Sequence, residues 1–391
     1  MFTTQSFVMN LPTRIQFGIN SINGLGELVK SCGGTKVFLA ADPGLESAGV
    51  LEKIVGALTA AHLPYELYTG IDPEPGLELA DQGAGLAKAA GCDCVVGAGG
   101  GSAMDVAKAI SILLTNGGKA EDYLGLGRIS KPGVPKIMIP TTAGTGAEVT
   151  FTAVFLNEKT RSKAGMNGDP LYPEAAILDP SLTVSLPPHV TAFTGIDALT
   201  HAIEAYVSIQ AHTLSDLYAQ KAIILIDDNL AMAYARGDNL EARGAMLMGS
   251  LLAGRALATA GVGLVHAMAY PLGGMFNTPH GLANAVLLPY VMAYNLIGSP
   301  QKYAQIASAL GCRIEGLNVR EAGERAVEAI RILNDEIGIP RTLAEIDIPF
   351  DKIPVMAEIA LTVARPVANN PRKPMVNDVI SIYENAFYGD E

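Results

Sequence analysis

Charge is scarce in this chain: only 17% of its 391 residues are Asp, Glu, Lys or Arg, while 49% are hydrophobic. Intrinsic disorder needs the opposite balance, so the chain is expected to fold around large apolar cores. Basic residues are scarcer still. The 27 Lys and Arg stand against 39 Asp and Glu, a net charge of −12, whose far field repels phosphate backbones and anionic lipid. Neither nucleic acid nor a membrane is an expected partner. Net charge says little about a pocket lined by a few donors, so a nucleotide cofactor is not excluded. Cysteine is rare: Cys32, Cys92, Cys94 and Cys312 are too scattered for a disulfide framework and lack the paired spacing of a zinc cluster. A reducing cytoplasm is the expected location. The first eighteen residues lack a basic start followed by an apolar core, so no secretory signal is expected. The most apolar long stretch, residues 246–276, is interrupted by Arg255, His266, Pro271 and several glycines, which argues against a bilayer span.

What is present points to two domains, since the length is two to three times that of a single-core domain. Up to about Asp179, short apolar runs (KVFLA from Lys36, CDCVVGA from Cys92, KIMIP from Lys136, AAILD from Ala175) alternate with Ala- and Leu-rich helical runs. This alternation predicts an α/β domain with a mostly parallel, Rossmann-like sheet. After Pro187-Pro188 the pattern turns all-helical, with segments at 189–208, 214–235, 240–258, 302–311 and 317–337. The boundary falls near 185, giving domains 1–185 and 186–391.

Residues Val95 to Lys108 run from an apolar strand through Gly99-Gly100-Gly101 into a helix. Bare backbone N–H groups at a helix start can approach a pyrophosphate; the same residues also read as a tight turn with Ser102 as a helix cap. After the next strand, Pro140-Thr141-Thr142-Ala143-Gly144-Thr145-Gly146-Ala147-Glu148 places three hydroxyls where ligands bind in open α/β sheets. Asp42 follows an earlier strand. An acidic residue there can bond an adenosine ribose and repel a 2′-phosphate, although Asp42-Pro43-Gly44 is equally a turn sequence.

In the helical half, Asp197 and His201 lie four apart and so share one helix face. With His266 and His280 they make one carboxylate and three imidazoles in apolar or glycine-rich surroundings, a set suited to Fe(II) or Zn(II). His62, His189 and His212 occupy polar or proline-containing contexts and are expected at the surface.

Together these residues resemble the iron-containing (group III) alcohol dehydrogenase family over essentially the whole chain. Gly99-Gly100-Gly101-Ser102-x-x-Asp105-x-Ala107-Lys108 resembles that family's pyrophosphate loop, Pro140 to Glu148 its nicotinamide-side loop, and Gly263-x-x-His266 through Pro279-His280-Gly281 its metal signature. The resemblance implies a dehydroquinate synthase-like architecture: an NAD-binding α/β domain, a helical metal-binding domain and a cleft between them. It implies Asp197, His201, His266 and His280 as ligands of Fe(II), or alternatively Zn(II). It further implies NAD contacts from Gly100, Gly101, Ser102, Thr141, Thr142, Thr145 and Lys163, with Asp42 selecting NAD.

Three departures bear on activity. Ala147 replaces a hydroxyl-bearing residue of the second loop. Tyr270 stands four residues after His266, where many members carry a histidine thought to relay the alcohol proton; a phenol, with its ordinary pKa near 10, suits neutral pH less well. The same tyrosine is a feature of the family's hydroxyacid-oxoacid transhydrogenase branch. Leu257-Ala258-Thr259 replaces a Phe-Asn-Asn-like run, which widens the expected substrate pocket, and Arg255 just before it reads as a solvated helix-surface residue or an anion binder. The implied function is hydride transfer between a primary alcohol or its aldehyde and NAD(H) in a homodimer or higher homo-oligomer. The alternatives are a transhydrogenase with retained NAD, a dehydroquinate-synthase-like lyase, or a non-catalytic nucleotide sensor.

Overall fold

The computed structural model describes residues 6–72, 74–157 and 162–389. They fall into two compact units, residues 10–185 and residues 186–389, the latter joined by residues 6–9.

The first unit is built on strands β1 (Arg14–Phe17), β2 (Val37–Ala41), β3 (Tyr65–Tyr68), β4 (Cys94–Gly99), β5 (Gly125–Leu126), β6 (Lys136–Pro140), β7 (Thr152–Asn157), β8 (Ser162–Asn167) and β9 (Ala175–Leu178). Its helices are α1 (Leu25–Ser31), α2 (Gly44–Ser47), α3 (Val50–Ala60), α4 (Leu77–Ala90) and α5 (Gly101–Asn116). Six strands form one sheet in the order β1-β9-β6-β4-β2-β3, every neighbour pair parallel. Strands β2, β4, β6 and β9 are buried along their whole length, as a parallel sheet covered on both faces requires. Val37, Leu39, Val96, Ile137 and Ile177 pack on one face in a core with Leu25, Val29, Ile54 and Leu58. The chain passes from β2 outward to β3, then returns to place β4 on the other side of β2. The strand order therefore reverses between β2 and β4, and ligands of open α/β sheets bind beyond the carboxyl ends at such a point. A smaller sheet, β5-β8-β7, carries the antiparallel pair β7 and β8.

One ion pair in this unit is largely buried, with the Asp105 side chain 13% exposed. Lys108 on α5 is 0% exposed; its Nζ lies 3.5 Å from Asp105 Oδ1 and donates to Thr150 Oγ1 at 3.2 Å and Thr152 O at 2.8 Å. Asp105 Oδ2 accepts from Val154 N at 2.9 Å. Burial pushes the lysine down and the carboxylate up, each opposed by the other's charge. The pair joins α5 to the start of β7.

The second unit is helical throughout its described residues: α6 (Pro188–Val207), α7 (Thr213–Ala235), α8 (Leu240–Ala260), α9 (Leu264–Phe276), α10 (His280–Asn295), α11 (Pro300–Ala309), α12 (Val319–Glu336), α13 (Ile353–Thr362), α14 (Ala364–Asn369) and α15 (Val376–Tyr388). The apolar stretch 246–276 is two helices, α8 and α9, bent by 104° at Gly261-Val262-Gly263. Residues 280–298 are long and apolar enough to cross a bilayer, yet most of that segment is buried inside the unit, as in a core helix.

Candidate functional site

Helix α6 opens with Pro188 in its first turn, where the missing N–H costs nothing. It is buried along most of its length, so a polar side chain on it must find its partners within the protein. Asp197 and His201 project from one face of it. Helix α9 supplies His266 in its first turn, and α10 begins at His280 itself. A Cβ added at the next residue, Gly281, would lie 2.3 Å from the Phe193 carbonyl oxygen of α6. Only glycine allows that approach, and it sets His280 beside Asp197.

The four side chains converge. The His201 and His266 rings stack with centroids 4.6 Å apart, and the His266 and His280 rings lie 5.3 Å apart. His266 Nε2 is 3.8 Å, and His280 Nε2 3.7 Å, from Asp197 Oδ1. One donor atom from each of Asp197, His201 and His266 falls within a 4.8 Å cluster. Asn284, on α10, sits among them: its Nδ2 is 2.7 Å from Asp197 Oδ1, 3.3 Å from His266 Nε2 and 3.2 Å from His280 Nε2. An amide carries two protons and cannot satisfy three acceptors, while its own Oδ1 is buried without a hydrogen-bond partner. Such a surplus of lone pairs suits a divalent cation, and one carboxylate with three imidazoles is a first-row metal donor set. Burial would raise the Asp197 pKa, but His201, His280, His266 and the Asn284 bond outweigh it and hold the carboxyl down to about 2. The group stays anionic over the working pH range.

Asp197, His201 and His266 are buried, whereas the His280 side chain is 26% exposed. The solvent-facing flank is therefore the His280 side. Tyr270, half-buried, lies there too, its ring centroid 6.1 Å from that of His280.

In the first unit, Asp42 follows β2, the glycine turn follows β4, and the hydroxyl-rich loop follows β6. Backbone bonds lock the three together: Asp42 N donates to Ala98 O at 2.9 Å and Thr141 N to Gly99 O at 3.0 Å. Gly99 has φ +141°, and a Cβ there would meet the Asp42 Cβ at 2.7 Å, so both geometry and space exclude any other residue. At Gly101 a Cβ would meet Thr145 Cγ2 at 2.7 Å. Gly100 differs. Its φ of −77° is ordinary, and a Cβ would come no closer than 3.7 Å to Thr142 Oγ1. The bare backbone there leaves room at the start of a 16-residue helix, whose first N–H groups and dipole favour an anion. These residues fit a pyrophosphate.

Several sequence expectations are corrected or refined. His212 is not a surface residue: it is 1% exposed, caps α7 by accepting from Ser215 N at 3.3 Å, and stacks on Phe7 at 3.6 Å. Its context read as polar because the apolar cover comes from the distant N-terminal segment. His62 and His189 are exposed. Ser102 is not the helix cap; Gly100 holds that position and makes no side-chain cap bond. Asp42 does make the turn foreseen, its Oδ1 accepting from Gly44 N at 2.8 Å. Arg255 is half-buried against α7, its guanidinium 5.9 Å from the Tyr218 ring centroid, rather than solvated. Lys163 lies on β8 and ion-pairs with Glu74 at 2.9 Å. Two residues at the Asp–His cluster were not foreseen, Asn284 and Glu204. The signal existed: Asn284 is four residues after His280, and Glu204 three after His201, each on that histidine's helix face.

The model of the family described as iron-containing alcohol dehydrogenase matches residues 12–180, and that of its C-terminal domain matches residues 191–387. The chain belongs to the iron-containing alcohol dehydrogenase family. It is 42% identical over 381 residues to long-chain-alcohol dehydrogenase 1 of Geobacillus thermodenitrificans, covering 97% of this chain and 96% of that protein. A solved 1,3-propanediol oxidoreductase is 40% identical with TM-score 0.96, over 98% of this chain and 100% of that one. A sulfoacetaldehyde reductase from Bifidobacterium kashiwanohense, solved in complex with NAD+, is 29% identical with TM-score 0.88, over 99% and 100%.

Proposed function

We propose that this iron-type alcohol dehydrogenase transfers hydride reversibly between a primary alcohol, or its aldehyde, and NAD(H). The observation that carries this reading is the convergence of Asp197, His201, His266 and His280 around one point in a chain of this family. When bound, Fe(II) or Zn(II) supplies Lewis acidity to the substrate hydroxyl and NAD supplies the hydride acceptor. The chain's own residues do the rest. In this reading residues 186–391 form the metal-binding domain and residues 1–185 the NAD-binding domain. Gly100, Gly101, Ser102, Thr141, Thr142 and Thr145 hold the pyrophosphate and nicotinamide side, Lys163 reaches the cofactor from β8, and Asp42 faces the ribose. The small side chains Leu257-Ala258-Thr259 at the end of α8 admit a larger alcohol. A cytoplasmic homodimer or larger homo-oligomer completes the proposal. The test is a screen of short alcohols, diols, aldehydes and hydroxy acids with NAD and NADP after reconstitution with Fe(II) or Zn(II); no turnover of any alcohol or aldehyde would refute the reading.

The tyrosine at position 270, the residue that the family's transhydrogenase branch carries there, favours a second reading, the transhydrogenase, in which NAD stays bound and free NAD is not consumed stoichiometrically. Measuring NADH released per substrate oxidised separates the two. In either case Tyr270 is proposed to pass the hydroxyl proton toward solvent, on the strength of its ring lying 6.1 Å from that of His280. Tyr270→Phe is expected to lower turnover at neutral pH several-fold and Tyr270→His to restore it, because imidazole titrates nearer neutrality. An unchanged rate and pH profile in the Phe variant would eliminate the relay.

Asp42 leads to a prediction about cofactor choice. A carboxylate beside the ribose repels a 2′-phosphate, so NADH is expected to be used at least about tenfold more efficiently than NADPH, a difference of ~1.4 kcal/mol. Asp42→Gly is expected to narrow that gap. Equal kcat/KM with both cofactors in the unaltered enzyme would remove Asp42 from the selection.

A further inference from the structure

We infer that Glu204 is a positioning residue that fixes the tautomer of His266 and, with it, the direction of that ligand's lone pair. The inference rests on the metal reading above. Helix α9 begins after Gly263, which has no side chain to cap it, so its first N–H groups need acceptors from elsewhere. Two side chains supply them. Glu204 Oε1 accepts from Val265 N at 2.6 Å, and Asn370 Oδ1 accepts from Leu264 N at 3.3 Å. Asn370 is itself held by a reciprocal pair with Asn295, at 2.8 and 2.7 Å. The second Glu204 oxygen, Oε2, lies 2.6 Å from His266 Nδ1.

Glu204 is 4% exposed and His266 3%, so water does not compete for these bonds. A carboxylate oxygen accepts, and the two Glu204 oxygens lie 2.6 Å from Val265 N and 2.6 Å from His266 Nδ1. Both partners must therefore donate: Val265 through its backbone N–H and His266 through Nδ1–H. That leaves His266 Nε2 unprotonated, and this is the atom 3.8 Å from Asp197 Oδ1. Left to itself an imidazole exchanges between tautomers, and the other one would point an N–H at the cation's place. Glu204 stands seven residues after Asp197 and three after His201 on α6. One helix face thus carries two ligands and the buttress of the third, which ties the relative placement of α6 and α9 to the site. A carboxylate bonded to the far nitrogen of a ligand histidine raises its basicity as well as orienting it.

The test uses full-length protein with two readouts that do not depend on turnover. Nitrogen NMR of the histidine-labelled, metal-free protein, with His266 assigned by its loss in His266→Asn, is expected to show the Nδ1–H tautomer; an Nε2–H tautomer overturns the inference. In Glu204→Gln the amide oxygen can keep the Val265 N–H only by turning its N–H₂ toward His266, which then accepts at Nδ1 and carries its proton on Nε2. Zn(II) affinity measured by chelator competition is expected to fall 10- to 100-fold, with the His266 tautomer shifted toward Nε2–H. Affinity within twofold of the unaltered protein overturns the inference, because a merely structural role would move the melting temperature alone. Should Glu204→Gln fail to fold, the tautomer in the unaltered protein decides. Unaltered protein that takes up neither Zn(II) nor Fe(II) refutes the metal reading instead, and the tautomer remains readable.

Discussion

His280→Ala is expected to weaken metal binding by at least about 100-fold and to lower turnover by about 10³, while leaving NAD binding unchanged. The first figure exceeds what removing a residue behind a ligand costs, and the second corresponds to ~4 kcal/mol of lost electrophilic stabilisation. His280 is the better position to test first because its side chain is 26% exposed, so truncation leaves little cavity. His266→Ala should show the same metal loss with an added fall in stability, since it leaves Glu204 Oε2 buried without its 2.6 Å partner. All four proposed ligands lie in residues 186–389 and the glycine turn in residues 10–185, which is why cofactor fluorescence should persist. Full metal occupancy in both variants, read by elemental analysis, would refute the ligand assignment.

Lys108→Met is expected to destabilise the first unit by about 3–5 kcal/mol. Removing one member of a largely buried pair leaves the other, here Asp105, without its neighbouring charge, while Thr150 and Thr152 lose a donor. Lys108→Met combined with Asp105→Leu should recover much of that loss, because two apolar side chains of similar volume need no compensation. The Val154 N–H, which donates to Asp105 Oδ2 at 2.9 Å, would keep the recovery incomplete. Denaturant unfolding of the three proteins decides it. A single variant within 1 kcal/mol of the parent would mean that water reaches Lys108 despite its burial.

The parallel core was legible because strands buried on both faces must be continuously apolar, and VFLAA, CVVGAG, KIMIP and AAIL are nearly so. The edge strands were not legible. RIQF and YELY carry exposed positions in β1 and β3, since an edge has solvent beside it and needs no such run. The helices α9 and α10 were hidden by Pro271 and Pro289 inside them, which the surrounding helices tolerate and a local reading does not.

At the site, the sequence by itself determined the donor chemistry. Asp197 and His201 share a helix face by spacing alone, and imidazoles set in apolar surroundings need a partner that sequence already implies. It also determined the bare backbone at Gly99-Gly100-Gly101. Only the tertiary structure decided which segments meet: that Gly281 lets α10 touch the α6 backbone, that Asn284 lies among three acceptors, and that Glu204 reaches across to α9. It also enclosed His212 beneath Phe7. Spacing within a helix is fixed by 3.6 residues per turn and can be read from the chain. Contact between helices depends on the size of side chains far apart in sequence, and no local pattern records it.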